Sequence, residues 1–184
     1  DSAYSFTALT DRSLTANFEL KSFAITAASL PVEGGEVDGT GSFFYGELVN
    51  LTANPNQGYS FVNWTEEGLT VSEDSIYSFT AESDRSLTAN FSLNNYLIQT
   101  SSNPVTGGVT IGSGSFDAGE EVTVTATPAD GYTFGNWSEN GSIVSEDSLY
   151  TFIAMNNRNL AANFIINQYS VQTTVIPKEG GTVT

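Results

Sequence analysis

The side chains available for chemistry in this chain are almost all oxygen acids and hydroxyls. Of 184 residues, 21 are Asp or Glu and five are Lys or Arg, and there is neither cysteine nor histidine. That inventory excludes a disulfide framework, a Cys/His zinc site, a cysteine nucleophile and a Ser-His-Asp triad. What remains is carboxylate work: holding a hard cation, or acid and base catalysis by two carboxyl groups. The densest oxygen cluster is Ser72-Glu73-Asp74-Ser75, which recurs as Ser145-Glu146-Asp147-Ser148. Calcium takes about six to eight converging oxygens, and neighbouring acids on an extended chain point to opposite faces. Glu73, Asp74, Glu146 and Asp147 therefore read first as turn caps or solvated loops. Calcium is the weaker alternative, with Glu66, Glu67 and Glu139 as ligands that only folding could add. A glycosidase would need two carboxyl groups at about 5 Å or about 6.5–9.5 Å across a cleft. Such a site on a repetitive scaffold shows as residues peculiar to one copy, whereas these acids either recur or lie scattered. No catalytic residue is expected, and no cofactor.

The elements that position these groups repeat. Trp64 and Trp137, the pairs Gly34-Gly35, Gly107-Gly108 and Gly180-Gly181, and the pairs Asn17-Phe18, Asn90-Phe91 and Asn163-Phe164 all step by 73 residues. Residues 22–94 and 95–167 form two full copies, 1–21 the tail of a preceding copy and 168–184 the head of a following one. About half the positions agree between the full copies. A frame beginning at Asp1 and Asp74 is equally legitimate from sequence alone. A register that never slips marks a structural module in tandem. The partial ends lack the middle of a module, so the chain reads as a window cut from a longer array.

Within a copy the hydrophobic period is two, which is the period of a strand. Val122, Val124 and Ala126 alternate with threonines, as do Val49, Leu51 and Ala53 with Asn50 and Thr52. Tyr150, Phe152 and Ala154 share one face and Leu160, Ala162 and Phe164 another, with Asn156-Asn157-Arg158-Asn159 between them. Tyr77, Phe79, Ala81 and Leu87, Ala89, Phe91 repeat this, as do Tyr4, Phe6, Ala8 and Leu14, Ala16, Phe18. The pattern predicts a β-hairpin. Further strands are predicted near 96–101, 108–111, 121–127 and 132–137, divided by Gly, Pro and Asp turn residues. No segment carries the spacing of an amphipathic helix, so the fold class is all-β or nearly so. Tyr59, Phe61, Trp64 and Phe91, with Tyr132, Phe134, Trp137 and Phe164, are the expected structural core, because each aromatic can bury about 150–250 Å².

The series Pro104-x-x-Gly107-Gly108, Gly112-x-Gly114-x-Phe116-x-x-Gly119-Glu120-x-Val122, Gly131-Tyr132-x-Phe134-x-x-Trp137 and Leu160-x-Ala162-Asn163-Phe164 resembles the divergent InlB B-repeat family of bacterial surface proteins. The copy at 31–91 carries the same series, and the resemblance covers the whole chain. It implies tandem small β modules related to the β-grasp, strung on secreted or surface-anchored proteins as stalk or adhesive repeats without catalysis. Some relatives carry a short helix that this sequence does not announce.

Other recurring residues have local readings. Arg12, Arg85 and Arg158 supply three of the five cations and are expected to pair with a carboxylate while their stems cover apolar surface. Lys21 and Lys178 occupy unrelated positions, which argues against a periodic Lys–Asn cross-link. The triplets at Asp1-Ser2-Ala3, Asp74-Ser75-Ile76 and Asp147-Ser148-Leu149 resemble the Asp-Ser/Thr-aliphatic acceptor of the general O-glycosylation system of Bacteroidetes. That resemblance makes Ser2, Ser75 and Ser148 candidate glycosylation sites. A net charge of −16 argues against nucleic acid or anionic membrane partners, whose attraction depends on clustered Lys and Arg. No apolar run is long enough to insert in a membrane. The expected role is an extracellular structural segment, an elongated array whose partners are its own neighbouring repeats. Binding of a glycan or host surface protein, through Tyr45, Tyr59 or Tyr132, is the alternative, and strand exchange into filaments a third.

Overall fold

The computed structural model describes residues 3–174, Ile176 and Gly181; Ser2, Lys178 and Gly180 lie outside the described residues. The chain folds as two compact units. In the first repeat eight strands follow in order: β1 (Ser22–Leu30), β2 (Gly35–Asp38), β3 (Gly41–Phe44), β4 (Leu48–Pro55), β5 (Tyr59–Glu66), β6 (Leu69–Ser72), β7 (Ile76–Thr80) and β8 (Arg85–Leu93). The second rebuilds them as β9 (Asn95–Asn103), β10 (Gly108–Ile111), β11 (Gly114–Asp117), β12 (Glu121–Pro128), β13 (Tyr132–Glu139), β14 (Ser142–Ser145), β15 (Leu149–Ile153) and β16 (Arg158–Ile166). Asn94 alone separates β8 from β9.

Each repeat is a pair of sheets. A five-stranded sheet runs β3-β1-β8-β5-β6 and a three-stranded one β2-β4-β7; in the second repeat these are β11-β9-β16-β13-β14 and β10-β12-β15. The apolar faces read from alternation are the inner faces. Val49, Leu51 and Ala53 of the small sheet are buried, as are Ile25, Trp64, Leu87, Ala89 and Phe91 of the large one. In the second repeat Ile98, Val122, Val124, Ala126, Trp137, Leu160, Ala162 and Phe164 make one core. Among the described residues helix amounts to 3 % against 59 % strand, in the two 3-10 turns Val32–Gly34 and Val105–Gly107. With no α-helix among the described residues to lie across a sheet, the implied relation to the β-grasp finds no support here.

The predicted hairpin is not one. β7 pairs with β4, and β8 lies between β1 and β5 in the other sheet; β15 and β16 part in the same way. Two strands that each bury one face look alike in sequence whether they lie side by side or face each other across a core. Here they face each other, and residues 81–84 and 154–157 carry the chain across. β8 also runs parallel to β1, from Ile25↔Arg85 to Leu30↔Asn90, and β16 to β9 from Ile98↔Arg158 to Asn103↔Asn163. Asp84 and Asn157 fasten the start of each parallel pair, accepting from Ala24 N and Leu97 N at 2.8 Å.

The recurring glycine pair has a packing cause. A Cβ on Gly34 would stand 2.7 Å from Phe91 Cβ, and one on Gly35 2.6 Å from Phe91 Cζ; Gly107 and Gly108 meet Phe164 in the same way at 2.6 Å. The phenyl ring therefore lies directly on backbone, a close approach only glycine permits.

Candidate functional site

The spacing Tyr132-x-Phe134-x-x-Trp137, which repeats that of Tyr59-x-Phe61-x-x-Trp64, breaks the period of two, so a regular strand could not bury both Phe134 and Trp137. A β-bulge resolves it. In β13 the register slips between Phe134 and Asn136 and again at Trp137/Ser138, and in β5 at Trp64/Thr65. Such an extra residue bends the strand and re-aims its side chains. Both tryptophans are consequently fully buried, and Phe61 and Phe134 sit 5.9 and 6.0 Å edge-on from Phe91 and Phe164. Tyr59, Phe61, Tyr132 and Phe134 are half-buried. The asparagine before each phenylalanine ties the bulge down. Asn90 Nδ2 donates to Asn63 Oδ1 at 2.8 Å and Thr65 Oγ1 at 3.0 Å; Asn163 Nδ2 donates to Asn136 Oδ1 and Ser138 Oγ, both at 2.8 Å.

The recurring arginine begins β8 and β16, where the chain has just crossed between sheets. Arg85 Nε and Nη2 donate to Glu66, the latter at 2.6 Å to Oε2, and Nη1 donates to Tyr77 OH at 3.3 Å. Its guanidinium carbon lies 4.2 Å from the Phe79 ring centroid. Arg158 repeats this with Glu139 Oε2 at 2.7 Å, Tyr150 OH at 3.2 Å and Phe152 at 4.3 Å. The clasp joins both sheets of a repeat, since Glu66 is on the large one and Tyr77 and Phe79 on the small one. The hydrogen bond from Arg85 holds the Glu66 carboxyl below its ordinary value, outweighing partial burial, and the same bond raises Arg85. At Arg158 burial opposes the charge, and the bonds to Glu139 and Tyr150 overcome it, leaving this arginine raised too. Glu66 and Arg85 thus have no proton to exchange near neutral pH, and the arrangement holds sheets together instead of doing acid–base chemistry.

Arg12 has a local version of this stack, its guanidinium carbon 5.0 Å from the Phe6 ring, in a segment (residues 3–21) that is exposed and forms no strand. Lys21 Nζ lies 5.0 Å from the Phe23 ring.

The acidic turns are self-contained. Ser72 Oγ accepts from Asp74 N and Ser145 Oγ from Asp147 N, each at 3.1 Å. Glu73, Asp74, Glu146 and Asp147 are exposed, as are Ser75 and Ser148. Glu66 and Glu139 are drawn away from these turns to their arginines, and Glu67 stands exposed in the β5–β6 turn at φ 51°. Among the described residues no three acids converge on a point where a metal ion could sit. Tyr45 is 63 % and Phe44 53 % exposed, whereas the second repeat has Asp117 and Ala118 at these positions.

Sequence named Glu66 and Glu139 only as added calcium ligands and did not join them to the arginines, although the signal existed: they recur with the same 73-residue step as Arg85 and Arg158. Neither curated proteins nor solved structures yield a match to the chain. Comparison with known protein families matches residues 25–95 and 98–168, one after the other, to the divergent InlB B-repeat domain. With both repeats matched over nearly their whole length, and with a fold of nearly all strand, the chain belongs to the divergent InlB B-repeat family.

Proposed function

We propose that this chain is a non-catalytic structural segment of a bacterial extracellular surface fibre or adhesin stalk. Tandem repeats of this family are modules of bacterial surface proteins, which supports an extracellular setting. The observation that carries the reading is the sameness of the two repeats. Core, bulge, clasp and acidic turn are each built twice from equivalent residues, as a spacer requires and a single active site does not. The unit is read as residues 22–94 and 95–167, which fits the placement of β1 and β8 side by side in one sheet. The strong negative charge keeps such arrays soluble and apart. Small-angle scattering tests this: a rod-like profile is the expected outcome, and a freely jointed one removes the stalk. Neither metal nor cofactor enters this reading, so added calcium should leave the melting temperature unchanged.

The exposed Phe44 and Tyr45 favour one second reading, a contact with a glycan or host surface protein made by the first repeat. Binding to a glycan array that Tyr45→Ala abolishes would support it, and an unaffected profile would remove it. Glycosylation at the exposed Ser75 and Ser148 is compatible with either role, and the intact mass of native material decides it.

A further inference from the structure

The order of strands within one repeat has a mechanical meaning. β1 is the first strand and β8 the last, and they lie side by side and parallel in the middle of the large sheet. The chain therefore enters at the foot of the pair, at Ser22, and leaves from its head, at Leu93. By the register these ends are separated by about 36 Å along the strands, at about 3.3 Å per residue. Tension on the two ends pulls β1 and β8 in opposite directions along their own axes. Their hydrogen bonds then lie across the load and must break together, whereas a pair pulled from one end opens bond by bond.

Side chains interlock against that slip. A one-residue slide would turn Leu87, Ala89 and Phe91 from the core to solvent, so the pair must move two residues at once. Phe91 in turn lies on the Gly34-Gly35 backbone, where a passing Cβ finds no room. Asp84 adds a bond at the foot through Ala24 N. The second repeat adds one at the head as well, from Asn103 Nδ2 to Asn163 Oδ1 at 2.9 Å, where the first has Leu30 and Asn90.

We infer that each repeat is a force-bearing module in which β1–β8 and β9–β16 act as shear clamps between the two ends of the repeat. This deepens the stalk reading and rests on it only for the source of the load; scattering tests the stalk and force spectroscopy tests the clamp, so each can fail alone.

The test is to stretch single molecules of the whole chain. Held by its two ends, it should show two unfolding events, each releasing about 220 Å, since 73 residues extend to about 3.3–3.6 Å each and the folded span is subtracted. Because the protein has no cysteine, Lys21→Cys with Glu82→Cys gives unique handles at the feet of β1 and β8 in the same folded repeat. Pulling there unzips the pair. The unfolding force should fall by a factor on the order of five, because six register pairs no longer share the load. Equal forces in the two geometries, with an unchanged melting temperature for the double variant, would overturn the clamp. So would extension at the ends with no force peaks.

Discussion

The outer face of the small sheet carries opposite chemistry in the two repeats. In the first repeat β2 presents Glu36 and Asp38, with Asn54 Nδ2 donating to Asp38 Oδ2 at 2.9 Å from the next strand. The equivalent residues of β10 are Val109 and Ile111, about two-thirds exposed, and beside them Thr123 and Thr151 share a hydrogen bond at 2.9 Å. Directly beneath, the inner faces hardly differ: Val49, Leu51 and Ala53 stand against Val122, Val124 and Ala126. A strand whose two faces report to different surroundings can thus hold one fixed and let the other drift. The tryptophans show a finer contrast. Trp137 Nε1 donates to Ser148 O at 3.2 Å, whereas Trp64 Nε1 is buried with no acceptor among the described residues.

The largest test of this sameness inside is removal of the tryptophans. Trp64→Ala and Trp137→Ala should each cost their own repeat about 3–5 kcal/mol, seen as early melting of one unit in calorimetry; losses differing by clearly more than the about 1 kcal/mol of one hydrogen bond would show that the cores are not equivalent. Trp→Phe is sharper. At Trp137 it also forfeits a hydrogen bond, so it should cost about 1 kcal/mol more than at Trp64, and equal costs would remove the contrast. Acid is a smaller lever. Because Glu66 is held below its ordinary value, its contribution is present above the unfolded carboxyl pKa and is lost as pH falls through the folded one. Glu66→Gln should therefore flatten the acid limb of stability below a pH of about 4.5, by less than about 1 kcal/mol, since the pair is partly screened by solvent. Smallest of all, Val109→Glu with Ile111→Asp installs the first repeat's residues on the second. Stability should move by no more than about 0.5 kcal/mol, and a larger loss would mean that this face is coupled to the core.

Much of this architecture was legible because period and repetition speak directly of faces. The alternation at Val122–Thr127 identified the buried side, and the 73-residue step identified the module. Pairing was not legible. Nothing local distinguishes a hairpin at 77–91 from a crossing between sheets, because the choice is made by β1 and β5, which lie tens of residues away. The spacing of three between Phe134 and Trp137 was a visible irregularity whose meaning, a bulge held by Asn163, needed the neighbouring strand. The arginines were expected to find a carboxylate; Arg85 and Arg158 do, with an aromatic ring beneath the guanidinium as well, whereas Arg12 has the Phe6 ring and no carboxylate partner among the described residues.

The parallel pair also sets an order in time. β1 cannot close its sheet until β8 has been synthesised, 60 residues later at the first register pair. Meanwhile Arg12–Leu20, which differs from Arg85–Leu93 only at Glu19 against Ser92, has already emerged. An almost perfect counterfeit of the missing strand is therefore at hand before the authentic one exists. Such a chain is thereby exposed, during its own synthesis, to exchange of strands between repeats.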